Sequence, residues 1–222
     1  MDKDLFVILS VINTGNNPWS YTHVRSVFSA EDRFKQTLES IASIRKYMPT
    51  AKILLLECSA LNEEQNEGLA SRVDYYKNVY DNEEARQNCL QTEKKGLGEA
   101  YQTQCAIDYI QQNSIAFRRL FKLSGRYSLN DEFDEKHYSH SAFTFKQRVQ
   151  QAIPSHSTVL YSVPFQFMSH YTMCVHISVQ FYLSGQNRGW EEVLPPLLEP
   201  KVELDRMGAQ GLVAVNGDFF TC

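Results

Sequence analysis

Two lysines and two glycines gather at Lys94-Lys95-Gly96-Leu97-Gly98-Glu99, at the start of an apolar pattern of helical period. Free backbone amides and the helix dipole favour an anion at such a start, and lysine adds a point charge. Lys94, Lys95, Gly96 and Gly98 are therefore candidates to cradle a diphosphate, although the same residues also suit a flexible, solvated loop. A second cationic stretch, Phe121-Lys122-Leu123-Ser124-Gly125-Arg126-Tyr127, sets Lys122 and Arg126 on either side of Ser124 and Gly125. Arginine stays protonated inside proteins and its planar fork can meet two phosphate oxygens at once. Acidic residues follow at Asp131, Glu132 and Asp134. They read either as a surface turn with a helix cap or as oxygen ligands for a divalent cation. In the later half, Glu191, Glu192, Glu199, Asp218 and His170 are the groups able to take a proton, and no spacing rule selects among them. His137, His140, His156 and His176 are scattered, and hydrogen-bonded or exposed roles suit them better than catalytic ones.

Such groups act together only if the fold brings them together, and the hydrophobic pattern gives the order of elements. Residues 5–12 form a continuous apolar, β-branched run fit for a central strand covered on both faces. It ends in the polar loop Asn13-Thr14-Gly15-Asn16-Asn17-Pro18. Ser29 is a helix cap, with Glu31 and Asp32 in the first turn, and Phe34, Leu38, Ile41 and Ile44 carry one apolar face until Pro49. A second buried strand is predicted over 51–58, a short Glu-rich helix over 62–71 and a third strand over 73–80. Leu97, Tyr101, Cys105 and Tyr109 share one face of a helix over 97–111. A strand is predicted over 117–127, broken by 128–134. Shorter strands of mixed polarity, or strand–helix hybrids, are predicted at 142–145, 158–163 and 171–179. A helical stretch at 189–198, despite Pro195 and Pro196, and a short strand over 211–217 ending at a turn complete the chain.

A βαβαβ start requires a mostly parallel sheet, because parallel neighbours need a crossover connection. The class is α/β, with smaller antiparallel additions in the C-terminal half. Ligands of such sheets sit beyond the carboxyl ends of the strands, which places Ile12, Asn13, Thr14 and Gly15 at the expected mouth of the site. No dinucleotide-type glycine turn follows the first strand and no Walker lysine motif is present.

Composition narrows the class further. The chain has 222 residues, 43% of them hydrophobic and 22% charged, which suits one globular domain over 1–222. The formal charge of -4, with no basic block, argues against long nucleic acid as a partner. The apolar runs are strand-sized, far below the roughly 20 residues of a membrane helix. Met1-Asp2-Lys3-Asp4 leads directly into the first strand without a secretory pattern, so a cytoplasmic protein is expected. Cys58, Cys89, Cys105, Cys174 and Cys222 are odd in number and widely spaced, as expected of reduced, mostly buried thiols.

The segments Lys95-Gly96-Leu97-Gly98-Glu99-Ala100, Phe121 to Asp131 and Gly208 to Ala214 together resemble small GT-A-like glycosyltransferases of large DNA viruses, algae and bacteria. The resemblance implies a nucleotide-diphospho-sugar transferase fold, with 1–127 as the nucleotide-sugar-binding half and 128–222 as the acceptor side. It implies a nucleoside diphosphate sugar donor and a glycan or glycoprotein acceptor. In that fold the strand before the acceptor half ends in an Asp-any-Asp metal motif. Here it ends in Ser124-Gly125-Arg126-Tyr127. Arg126, aided by Lys95 or Lys122, can neutralise a departing diphosphate in place of a metal. The cofactor is thus left open between none and Mn2+ or Mg2+, with Asp131, Glu132 or Asp134 as the ligands in the second case. Tyr161, Phe165, Phe167, Tyr171 and Trp190 are aromatics able to stack on a sugar face, although most are expected in the core, and Trp190 beside Gly189 is the first candidate. A binding module that keeps the fold without the chemistry is the alternative.

Overall fold

The computed structural model describes residues 3–147 and 155–222. Strand β1 (Leu5–Ser10) is buried along its whole length and pairs in parallel with β2 (Lys52–Glu57) on one side and β4 (Arg119–Ser124) on the other. Strand β3 (Tyr75–Asn78) extends the parallel set beyond β2. Helix α1 (Ala30–Tyr47) starts at a capping box in which Ser29 and Asp32 satisfy each other's backbone amides. Helix α2 (Glu63–Ala70) repeats the device with Asn62 and Gln65. A short α3 (Glu83–Ala85) runs into a π-helical segment, Arg86–Gln91, before α4 (Lys95–Gln112).

The later half adds β5 (Tyr127–Leu129), β6 (Phe143–Gln147), β7 (His156–Pro164), α5 (Met168–Leu183), α6 (Trp190–Val193), β8 (Lys201–Leu204), β9 (Ala209–Leu212) and β10 (Phe219–Thr221). The main sheet has seven strands in the order β3-β2-β1-β4-β7-β6-β8, and β7 runs antiparallel to both its neighbours. A separate antiparallel sheet has the order β10-β9-β5. The expected architecture, α/β with a mostly parallel central sheet and antiparallel additions from the C-terminal half, is the one observed.

Alternation along the central strands builds two cores. Leu5, Val7 and Leu9 face α4 and α5, joining Ile107, Val175 and Tyr182. Phe6 and Ile8 face α1 and the small sheet, joining Ile41, Ile44, Phe121 and Leu129. Among the described residues no helix is long and apolar enough to cross a membrane. The five cysteines are free, and all but the half-buried Cys105 are buried.

Several sequence expectations need correction. The stretch 171–179 is neither strand nor hybrid but the middle of α5, whose buried residues Tyr171, Cys174, Val175, Ser178, Val179 and Tyr182 recur at three- and four-residue spacing. Its β-branched content suggested a strand, and helical burial overrides that preference. The predicted strand over 117–127 is two strands in different sheets, broken at Gly125, where a side chain would come within 2.9 Å of the Leu9 carbonyl. The helical stretch over 189–198 shrinks to α6 and a 3-10 turn at Pro195–Leu197, since neither proline offers an amide to continue the helix. The final strand begins earlier, at Ala209, and residues 213–216 form the turn that leads to β10.

Candidate functional site

Strand β1 marks the point where the chain's crossovers change direction, with β2 to one side and β4 to the other, and such a point opens a crevice beyond the strand ends. A cavity of about 180 Å³ occupies it. Leu9, Ser10 and Val11 from the end of β1 and Lys122, Ser124, Gly125 and Arg126 from the end of β4 form its floor. One wall is α4, which presents Lys95, Gly98, Glu99 and Gln102 at helical spacing. Gln102 fixes that wall to the sheet, its Nε2 donating to the carbonyls of Ser10 (2.6 Å) and Leu56 (3.1 Å). The opposite wall is α1, through Arg33 and Thr37, and the Thr37 hydroxyl donates to the Gly125 carbonyl at 3.0 Å. Trp19, Tyr21 and Arg25 close the cavity from the loop after β1, and Val213 to Val215 close it from the turn after β9.

Positive charge dominates this space. Arg126 donates from Nη1 to the Leu212 carbonyl at 2.6 Å, and its guanidinium lies 5.7 Å from the Tyr127 ring centre. Arg33 donates from Nε to the Val11 carbonyl at 2.7 Å and from Nη1 to Ser26 Oγ at 3.3 Å. Arg25 stacks 3.8 Å over the Trp19 ring, with Nη1 donating to the Asn17 carbonyl at 3.3 Å. Among the described residues, none of these three arginines forms an ion pair with a carboxylate. Burial, then repulsion from Arg126, holds the Arg33 guanidinium down to about 9, with Glu57 and Arg25 acting in opposite senses. Burial likewise lowers Arg126. Lys95 lies 3.9 Å from Glu191, which raises its ammonium.

The residues expected from sequence divide between this cavity and other places. Arg126, Lys95, Gly98, Lys122, Ser124, Gly125 and Thr14 all line it. The Lys122 ammonium, however, is buried and committed to Glu99, to Ser124 Oγ at 3.0 Å and to the Thr158 carbonyl at 2.7 Å. It shapes the floor and has little left for a ligand. Ile12 and Asn13 serve the loop base: the Ile12 amide donates to the buried Glu57 carboxylate at 3.0 Å and the Asn13 amide to Ser59 Oγ at 3.0 Å. Gly15 takes a positive φ in the exposed loop, outside the lining. Lys94 points away, donating to the Tyr182 carbonyl at 3.1 Å. Gly96 is a packing glycine, since a Cβ there would collide with the Tyr182 hydroxyl.

Glu191 and Glu192 line a second cavity of about 280 Å³ that shares Tyr21, Lys95 and Glu99 with the first. Glu192 pairs there with Arg188 at 3.2 Å. His170 lies elsewhere, hydrogen-bonded to the Leu197 carbonyl at 3.0 Å. Glu199 pairs with Lys201 at 2.8 Å, and Asp218 closes the turn with Asn216. Trp190 is only 1% exposed and packs against Tyr182, at the edge of the second cavity. Tyr161 and Tyr171 are equally buried. The aromatics that line the cavity are Tyr127 at the start of β5 and Trp19 and Tyr21, the last two in a loop whose sequence shows no periodicity. Arg33 was legible in principle, as a charged residue on the buried face of α1 with Thr37, Ile41 and Ile44.

A divalent cation needs several oxygen ligands, normally carboxylates. The cavity's lining carboxylate, Glu99, is committed to Lys122. Asp131 lies outside, 92% exposed and paired with Lys46 and the Tyr47 hydroxyl. Glu132 pairs with Arg206, and Asp134 caps the 3-10 turn Glu135–Tyr138. Among the described residues no three His, Cys, Asp or Glu side chains gather as metal ligands, and the residues around the cavity do not fit a divalent cation.

No protein-family model matches the sequence, and no curated protein matches it. Solved structures are similar in fold. One is a glycosyltransferase involved in the glycosylation of the major capsid of PBCV-1, with TM-score 0.51 and 9% identity over 91% of this chain and 81% of that one. Another is the galactosyltransferase LgtC in complex with donor and acceptor sugar analogues, with TM-score 0.51 and 8% identity over 87% of this chain and 70% of that one. A third is the mannosyltransferase Ktr4p from S. cerevisiae, with TM-score 0.54 and 7% identity over 89% and 65%. At these identities the likeness is one of fold: the chain has the GT-A-like architecture of nucleotide-diphospho-sugar glycosyltransferases.

Proposed function

We propose that the protein is a glycosyltransferase that moves a sugar from a nucleoside diphosphate sugar to a hydroxyl of a glycan or glycoprotein acceptor. The observation that carries this reading is the set of cations without carboxylate partners at the strand ends of a glycosyltransferase fold. The resemblance of the Lys95 to Ala100 and Phe121 to Asp131 segments to small transferases of large DNA viruses, algae and bacteria adds to it.

In the proposed reaction the bond from the anomeric carbon to the diphosphate oxygen breaks and its electron pair leaves with the diphosphate. Arg126 and Lys95 meet the charge that develops there, where a preorganised donor contributes more than it would in water. The acceptor enters through the second cavity and its oxygen bonds to the anomeric carbon. Its proton passes to a carboxylate, for which Glu191 is the best-placed candidate because it faces Lys95 at the junction of the two cavities.

Incubation with a panel of nucleotide sugars and glycan acceptors, with and without EDTA, tests the reading through release of the nucleoside diphosphate. Release that depends on donor and acceptor is expected. Binding of a nucleotide sugar with no turnover under any condition would instead identify a binding module of the same fold.

A further inference from the structure

Like charges buried together destabilise a fold unless something of opposite sign completes them. Arg25 on the loop after β1, Arg33 in the first turn of α1 and Arg126 after β4 all line one cavity, and the first two are only 6% and 7% exposed. Each hydrogen-bonds to neutral acceptors, namely the carbonyls of Asn17, Val11 and Leu212 and the Ser26 hydroxyl. Five N–H donors per guanidinium leave others to face the cavity. Their orientation is set beforehand. Arg33 is locked by Val11, and Arg25 is held flat on Trp19, whose own Nε1 donates to the Arg25 carbonyl at 3.3 Å. Burial lowers both guanidinium groups, Arg25 to about 10 and Arg33 to about 9, so a bound polyanion would relieve them.

We propose that Arg25 and Arg33, together with Arg126, form a metal-free clamp for a diphosphate and give the cavity its preference for two linked phosphates over one. The three come from three separate elements and line one cavity, and a diphosphate offers two groups of oxygens to their planar forks where orthophosphate offers one. For its natural ligand the proposal rests on the nucleotide-sugar reading. The clamp itself can be examined without a sugar.

The test is calorimetric titration of inorganic pyrophosphate and orthophosphate in EDTA, with UDP and GDP titrated alongside and all four repeated with excess Mg2+ or Mn2+. Pyrophosphate is expected to bind in EDTA at least about tenfold more tightly than orthophosphate. Arg25→Gln and Arg33→Gln are each expected to weaken pyrophosphate by roughly 10- to 100-fold and to narrow its advantage over orthophosphate. Arg33 also anchors the end of β1, so if Arg33→Gln fails to fold, Arg25→Gln, in the loop after β1 and outside the sheet, carries the result. Pyrophosphate binding that requires a divalent cation, that does not exceed orthophosphate, or that Arg25→Gln leaves unchanged would overturn the clamp. If nucleoside diphosphates bind only with metal, the clamp fails and the donor reading survives. If pyrophosphate binds in EDTA and neither nucleotide does, the clamp stands and that reading fails.

Discussion

Replacing Arg126 by alanine removes the guanidinium that sits where β4 ends and the cavity begins, at the expected position of the departing diphosphate. A charged donor aimed at charge that grows in the transition state contributes about 3 to 4 kcal/mol, so turnover is expected to fall by roughly two to three orders of magnitude. The structural cost is much smaller. Arg126 gives up one hydrogen bond to the Leu212 carbonyl, worth about 1 kcal/mol. Against this, Arg33 loses a repulsive neighbour that helps to lower its guanidinium. At about 2 to 4 °C per kcal/mol for a chain of this size, the melting temperature should move by no more than about 4 °C. The assay is single-turnover release of nucleoside diphosphate at saturating donor, with scanning calorimetry on the same preparation. Arg126→Lys should recover part of the rate, because it keeps the charge but not the fork. An Arg126→Ala protein that transfers sugar at the parental rate would refute the assignment. A lost rate that tracks a large fall in melting temperature would mark Arg126 as structural instead.

Lys122 and Glu57 give two further expectations about the floor of the site. Lys122→Met leaves Glu99 without its buried partner and should cost about 3 to 5 kcal/mol in urea denaturation, with Glu99→Gln in the same chain restoring part of it; an unchanged midpoint would contradict the ion-pair reading. Burial raises the Glu57 carboxyl despite bonds from Ser59, Ser10 and the Ile12 amide. Because its folded-state pKa lies above the unfolded one, its protonated form favours folding. That contribution is present at low pH and is lost as pH rises towards and through the folded value. Glu57→Gln, which cannot ionise, should therefore gain stability relative to the parent as pH rises above the ordinary carboxylate range. A difference that stays flat with pH would show that Glu57 titrates as an ordinary carboxylate.

The fold was largely legible before any coordinates, because local physics writes it in short windows. The apolar run at β1, the Ser29 cap and the one-faced pattern of α1, and the repeat of strand and helix up to β4 each follow from burial of neighbours in sequence. Residues of the cavity were legible only where it coincides with strand ends and the helix start, as at Lys95, Gly98, Ser124, Gly125 and Arg126, which line it. Expected residues that lie off the first cavity are engaged by packing or pairing instead. Gly96 packs against Tyr182, a residue far away in the chain, and Trp190 packs against the same ring. Lys94 is likewise engaged by the Tyr182 carbonyl, and Asp131 by Lys46 and Tyr47.

What the sequence determined by itself is the order of elements up to β4, the parallel core and the absence of an acidic pair at the end of β4, since these depend on residue type and period alone. Tertiary structure decided which charges meet. Arg25 and Arg33 stand apart from Arg126 by about a hundred residues of chain and share no motif with it, and only the sheet order that sets β1 beside β4 brings all three to one cavity. The same order commits Lys122 to Glu99 and leaves the arginines without a carboxylate partner among the described residues. A charge's partner is fixed by distance in space, and sequence spacing encodes that distance only within a helix or a strand.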